Sequence, residues 1–481
     1  MMKPVELTPL DIEHGYVNFL FPFAFHEKKR QELMEELENE NYTFFCLDKT
    51  ELEDAFYGDD IEVRHAELEQ YFFPFVEDKL FPSKPNSEAF SRFSRTFEEK
   101  GELLVDGRCT PFQIHSLDIT LCPFGIGLMT IRLEVNEKHQ LHEFLNFIHH
   151  FRVVEAKLEE EKGGIIRAND RTYTSTSDYI FEHMIPCLHP FILREHRLPG
   201  YFGTLPYFED ERMYSSAFLF ATPGQELTDD QIYRLGQLDG INLKGEPFIS
   251  STSPDYINRY MKRHTHDRSA PFTYTVTSEY THSSLTVCDP EDMHDELRQF
   301  MSTHYYNLLL HYFYRIMLLR LSFEHSNVSW KKDESYVEEL IEMISKFSAR
   351  YYFGEVSVRS TGKEHAKTFV DIFHLDETFR EVRDTLNELY RTQENQADKR
   401  QNYLLFMLTT FTVVSGIYGM NLVIEDWKGF TDWSKVPGYS FFEWISLIVA
   451  LTGIGLSFLL ILVTLGGTIR KRYRRYKRSQ C

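Results

Sequence analysis

Residues 418–421 read Tyr-Gly-Met-Asn and lie near the end of a 22-residue run, 403–424, that carries no formal charge. Asn421 brings a side-chain amide oxygen, and Gly419 has no side chain to cover its own carbonyl. Neutral oxygens of this kind suit a small, hard cation. Mg²⁺ sheds water reluctantly, so groups that hydrogen-bond its retained waters can hold it without stripping them. Behind these residues, Asn395, Asp398, Asn402, Leu405, Thr409, Thr412 and Gly416 recur every three or four positions. On a helix that spacing gives one stripe, fit to line a pore, with Leu405 as its main apolar constriction. The alternative for Thr409 and Thr412 is that their hydroxyls bond back to their own helix.

Other residue types also merit weighing. Asp384, Glu338 and Glu342 lie on helical stretches, where the plainer reading is a solvated acidic face. His264 and His266 alternate as transition-metal ligands can, but Lys262, Arg263 and Arg268 beside them favour a solvated basic loop. His149 and His150 sit in an apolar helical pattern and read as core or interface. His183, Cys187 and His189 approximate a zinc set interrupted by Pro186 and Pro190. No phosphate-binding loop, nucleophile elbow or dinucleotide fingerprint is present, and no enzyme activity is expected.

These candidates need elements to position them. At about 1.5 Å per residue, residues 403–424 reach across roughly 33 Å, enough for a bilayer core. Residues 444–469 form a second uncharged run, of 26 residues. Residues 305–323 are apolar too, but Arg315 and Arg320 interrupt them, so that stretch predicts a buried helix outside the membrane. The start of the chain lacks the apolar stretch of a signal peptide. Lys399 and Arg400 precede the first run, and seven basic residues follow the second. The positive-inside rule then predicts a multi-pass protein of the inner (plasma) membrane with both termini cytoplasmic.

The whole chain has 481 residues and a formal charge of -21. Taking away the nine basic and four acidic residues of 403–481 leaves 43 basic and 69 acidic residues in 1–402, a net of -26. Such a body is a poor general nucleic-acid binder. Six cysteines without a CxxC pair indicate reduced thiols rather than a disulfide framework. Strands are predicted at 42–47, 112–121, 125–135, 214–221 and 273–287. Helices are predicted at 66–73, 139–155, 229–238, 293–323 and 334–350. The expected fold is an α/β domain over 1–289 with an insertion within 155–289, and a helical region over 290–375. A stalk helix at 376–402 then runs into a first span at 403–424. An outer loop at 425–443, a second span at 444–469 and a basic tail at 470–481 complete it.

The Gly-Met-Asn at the outer end of the first of two C-terminal apolar runs, after a long helix, resembles the CorA family of divalent-cation channels. The resemblance implies a homopentameric funnel embedded in membrane lipid, with Gly419, Met420 and Asn421 as its filter. It further implies Mg²⁺ as cargo and regulator, uptake driven by the membrane potential, and no organic cofactor. In the family, acids between neighbouring bodies hold the channel closed, the role Asp384, Glu338 and Glu342 would take. Three alternatives accompany it: Zn²⁺, Ni²⁺ or Co²⁺ as cargo, a non-conducting membrane scaffold, and an effector gated by a nucleotide second messenger. The last matches CorA-like proteins with enlarged bodies that accompany antiviral CRISPR systems. The chain departs from the family pattern in having no proline near Thr410.

Overall fold

A computed structural model describes residues 5–58, 61–154, 163–193, 205, 212–328, 334–419, 433–445, 447–448, 451–452 and 455. The chain divides into two units, Met1–Asn327 with Met343–Val382, and Val328–Glu342 with Arg383–Cys481.

The first unit is built on a 12-stranded mixed sheet. Its strands are β1 (Asp11–Ala24), β2 (Thr43–Phe44), β3 (Ser91–Val105), β4 (Arg108–Cys122), β5 (Ile126–Val135) and β6 (His139–Gln140). After these come β7 (Ile165–Ala168), β8 (Arg171–Tyr173), β9 (Tyr214–Ala221), β10 (Thr265–His266), β11 (Thr273–Thr277) and β12 (His282–Thr286). The order is β10-β11-β12-β9-β1-β5-β4-β3-β7-β8, with β2 on β3 and β6 on β1. Only the β12–β9 pair is parallel among the strand pairs described. Thus β9, β11 and β12, from the stretch where an insertion was expected, belong to this same sheet.

The helices are α1 (Arg30–Asn39), α2 (His65–Tyr71), α3 (Pro74–Leu80), α4 (Leu141–Phe151), α5 (Thr176–Asp178) and α6 (Asp229–Gln237). They continue with α7 (Pro254–His264), α8 (His294–Gln299), α9 (Tyr305–Ser326), α10 (Glu334–Arg350), α11 (Ser360–Ile372) and α12 (Leu375–Gly419). Local chemistry sets several of their starts. Gln140 and Glu143 form a capping box at α4, and Thr228 and Gln231 do the same at α6. Pro74 and Pro254 occupy the first turns of α3 and α7, where a missing N–H costs nothing.

The two faces of the sheet differ in chemistry. Val17, Phe19 and Phe21, with Leu117, Ile119, Met129 and Ile131, enter one apolar core. There Phe19 stacks on Phe151 of α4 at 4.8 Å. Strand alternation sends Asn18, Asp118, Thr130 and Arg132 to the other face, where they are buried nonetheless. Helix α9 covers that face: the Tyr305 hydroxyl meets Thr130 Oγ1 at 2.8 Å, and Arg92 donates to the Tyr306 hydroxyl. The prediction that 305–323 forms a buried helix is met by α9, with His311 2% exposed.

At the β4–β5 corner, Gly125 has φ +71°, and a Cβ there would stand 2.6 Å from the Phe25 carbonyl oxygen. Gly125→Ala is therefore expected to cost about 1–3 kcal/mol, from left-handed strain and a clash with rigid backbone. A urea midpoint unchanged by the substitution would contradict this.

The CorA-like funnel with two membrane-spanning helices, and the multi-pass inner-membrane placement, are both corrected. Among the described residues, no helix is long and apolar enough to cross a membrane. The physical reason lies in α12: its 45 residues begin with a densely charged stretch up to Arg400. Charge therefore occupies more than half of the helix and leaves its hydropathy too low for a span. Most of the second apolar run, 444–469, lies outside the described residues.

Candidate functional site

The residues singled out from sequence are spread along two helices. Asn395, Asp398, Asn402 and Leu405 are exposed on α12. The Thr409 and Thr412 hydroxyls donate to the Leu405 and Leu408 carbonyls at 2.7 and 2.8 Å, so both bond back within their own helix. Gly416 and Gly419 belong to the backbone of α12, whereas Met420 and Asn421 lie outside the described residues. Asp384 on α12 and Glu342 on α10 are exposed, and Glu338 is half-buried. Among the described residues, no group of three or more His, Cys, Asp or Glu side chains is placed to hold a metal ion. The suggested zinc set is engaged otherwise: His183 Nε2 meets the Glu99 carboxylate at 2.9 Å, and burial pushes the Cys187 thiol up to about 11.

A different constellation, all within the first unit, converges on a cavity of about 400 Å³. Its lining comes from three places. Arg64, Glu67 and Tyr71 belong to the start and body of α2; Asp295, Arg298 and Gln299 to α8, followed by Thr303; and Arg359 and Thr361 to the start of α11. Three guanidinium groups face two carboxylates there, in a chain whose overall charge is strongly negative.

The backbone adds to this field. Helix α11 has 13 residues, its N-cap Arg359 makes no side-chain capping bond, and its first turn holds no acid. Its leading N–H groups and the helix dipole therefore offer about half a positive charge to whatever occupies the cavity. Gly362 allows this approach: a Cβ there would fall 2.2 Å from Ser357 Oγ and 2.6 Å from the Tyr71 hydroxyl. Asn307 Nδ2 donates to the Gly362 carbonyl at 3.0 Å and ties α9 to this turn. Thr303 lies in a π-helical segment, Phe300–His304, between α8 and α9. Such widened turns recur at functional sites because they redirect side chains.

Tyr71 forms part of the cavity wall. It is 5% exposed and lines the cavity, and its hydroxyl has no hydrogen bond of ordinary geometry, although Asn307, Ser357 and Thr303 lie near. Burial pushes its pKa up to about 12, so it stays a protonated donor near neutral pH. The arginines are held in place but not used up. Arg64 lies 3.6 Å from Glu67, Arg298 pairs with Asp295, and Arg359 reaches Gln70 Oε1 at 3.5 Å.

Two other places were weighed against this one. A larger cleft, about 710 Å³, is lined by Lys100, Arg167 and Arg171, but also by Glu102, Glu134, Glu137 and Asp170. Its carboxylates outnumber its cations. The Arg92–Asp118–Arg132 cluster is sealed, with exposures of 3%, 0% and 1%, and it works inside the fold.

Sequence reasoning missed the cavity because its residues are nearly 300 positions apart. The available signal was short: Arg359-Ser-Thr-Gly-Lys363 at a helix start. No protein-family model, curated protein or solved structure matches this chain.

Proposed function

We propose that the chain is a binding protein for a small phosphate-bearing ligand, held by the cavity between α2, α8 and α11. One observation carries this reading: three arginines and the uncapped N-terminus of a 13-residue helix share one cavity. Guanidinium forks match the oxygens of a phosphate, and charge-assisted bonds of this kind are the strong ones. The cavity has the size of a small-molecule site. A nucleotide messenger, one of the alternatives raised by the CorA resemblance, is a ligand of this class.

The test is equilibrium binding with AMP and inorganic phosphate as probes and adenosine as the uncharged control. Wild type should bind both probes and not adenosine. Arg359 is exposed, so Arg359→Ala leaves the fold intact. It should weaken AMP binding roughly 10- to 100-fold, the worth of a charge-assisted hydrogen bond. Arg298→Ala should do at least as much. Equal affinity for AMP and adenosine, or indifference to both substitutions, overturns the proposal.

A further inference from the structure

Beneath the cavity, four histidines from four elements meet. His365 of α11 lies 4.3 Å from His304, 4.6 Å from His266 of β10 and 5.5 Å from His282 of β12, ring centre to ring centre. His282 is 1% and His365 3% exposed. The Nε2 atoms of His282 and His304 are buried with no hydrogen-bond partner, while His282 Nδ1 meets Thr277 Oγ1 at 2.9 Å.

The cluster sits where two walls of the cavity are joined. His304 directly follows Thr303, and His365 lies one helical turn beyond Thr361, so the ring contact between them fixes how far α11 stands from the π-helical segment. We propose that this histidine cluster is a proton-operated latch on the anion cavity: closed and ligand-competent when its imidazoles are neutral, sprung when they take up protons. The proposal rests on the binding reading above.

The groups facing His282, His304 and His365 favour neutrality, whereas His266 has a carboxylate of its own. From β10, His266 Nε2 is bound to Glu364 of α11 at 2.7 Å, and Arg268 shares that carboxylate at 3.1 Å. From β11 and β12 come Thr275, Thr277 and Ser284, which are uncharged. From α9, His311 Nδ1 bonds the Asn307 carbonyl at 2.8 Å, and its ring packs at a tilt against Phe369. Phe300 and Phe369 close the remaining sides around His282. Among the described residues no carboxylate reaches His282, His304 or His365. Protons on these rings are therefore uncompensated while the cluster stays packed, and they are accommodated by parting α11 from the π-helical segment. That motion separates Arg359 and Thr361 from Arg298 and Thr303.

Sulfate is the probe for the test, because it does not titrate between pH 5.5 and 7.5. Binding is measured at both pH values, with circular dichroism showing that the chain remains folded. Wild type should lose sulfate affinity about tenfold at the lower pH. His304→Phe and, on the opposite wall, His365→Gln should bind sulfate at both pH values with a much smaller change. Either variant suffices if the other fails to fold. Wild-type affinity that is constant or rises on acidification overturns the latch and leaves the cavity standing. Absence of sulfate binding at pH 7.5 overturns both.

Discussion

Asp118→Asn is expected to destabilise the sheet unit by about 3–5 kcal/mol, the usual result of stripping a buried ion cluster of its counter-charge. Asp118 is fully buried between two arginines. Its Oδ1 accepts from Arg92 Nη2 at 3.1 Å, and its Oδ2 accepts from Arg132 Nη2 at 2.9 Å and Nε at 3.2 Å. Burial pushes the carboxyl up, but Arg92 and Arg132 outweigh it and hold the group below its ordinary value. Asparagine keeps the shape and removes the charge, leaving two buried guanidiniums with only neutral partners such as Ser94, Asn18 and the surrounding rings. Those rings help: Arg92 lies 4.4 Å from the Phe45 ring centre and Arg132 4.2 Å from that of Tyr305. Cation–π contacts supply only about 0.5–2 kcal/mol each, short of the lost pair. Urea unfolding followed by circular dichroism measures the effect, and a loss under 1 kcal/mol would show that the cluster is solvated after all. Replacing Arg92, Asp118 and Arg132 together by apolar side chains of like volume should cost less than the single change, because no orphaned charge remains.

Acid should lower the stability of the same unit steeply. Burial lowers the pKa of His304 from 6.5 to about 3 and of His311 to about 4, and it holds His282 and His365 well below 6.5. For each, the folded pKa lies below the unfolded one, so below pH 6.5 the unfolded chain binds the extra proton. The stabilisation is therefore complete well above pH 6.5 and is lost as pH falls toward the folded values. Each histidine contributes a slope of about 1.4 kcal/mol per pH unit in that window. Four together give roughly 5 kcal/mol per unit, comparable with the whole stability of a domain. Urea midpoints at pH 7.5, 6.5 and 5.5 should fall slightly over the first interval and about three times as much over the second. His311→Phe should shallow the drop by about a quarter. A midpoint that is flat from 7.5 to 5.5 would refute the assignment of these imidazoles as neutral and buried.

Much of the first unit was legible residue by residue. The predicted strands at 112–121, 125–135 and 214–221 lie within or closely match β4, β5 and β9, and the helix at 334–350 coincides with α10. Alternation and 3.6-residue periodicity are local, so local sequence reports them. The interruption of 305–323 by His311, Arg315 and Arg320 likewise marked α9 as a helix packed in protein. Three elements went unread. In β1, Phe19, Phe21 and Phe23 alternate with Asn18, Leu20 and Pro22, and both faces are buried, so the pattern lacks a polar face. Strand β3 carries Glu98, Glu99 and Lys100 near a register shift, which disguises it as a loop. Helix α11 begins without a side-chain cap, which removes its usual start signal.

The site was less legible than the fold. The Arg263–Asp267 stretch, expected to be a solvated basic loop, instead closes α7 and opens β10. There His264 stacks on Tyr260 at 3.9 Å, and His266 joins the buried cluster. Nothing adjacent in sequence announces this, because the partner His365 is 99 positions away.

By itself, the sequence determined the local elements: which stretches alternate, which turn as helices and where acidic charge accumulates. These follow from side-chain type and spacing over a dozen residues. Only the tertiary structure decided that β12 runs parallel beside β9, which carries His282 to the face under α11. Only it placed Arg64, Arg298 and Arg359 around one cavity and buried Asp118 between Arg92 and Arg132. Those juxtapositions are set by strand order and helix docking, which depend on contacts between residues hundreds of positions apart and leave no periodic trace in the chain.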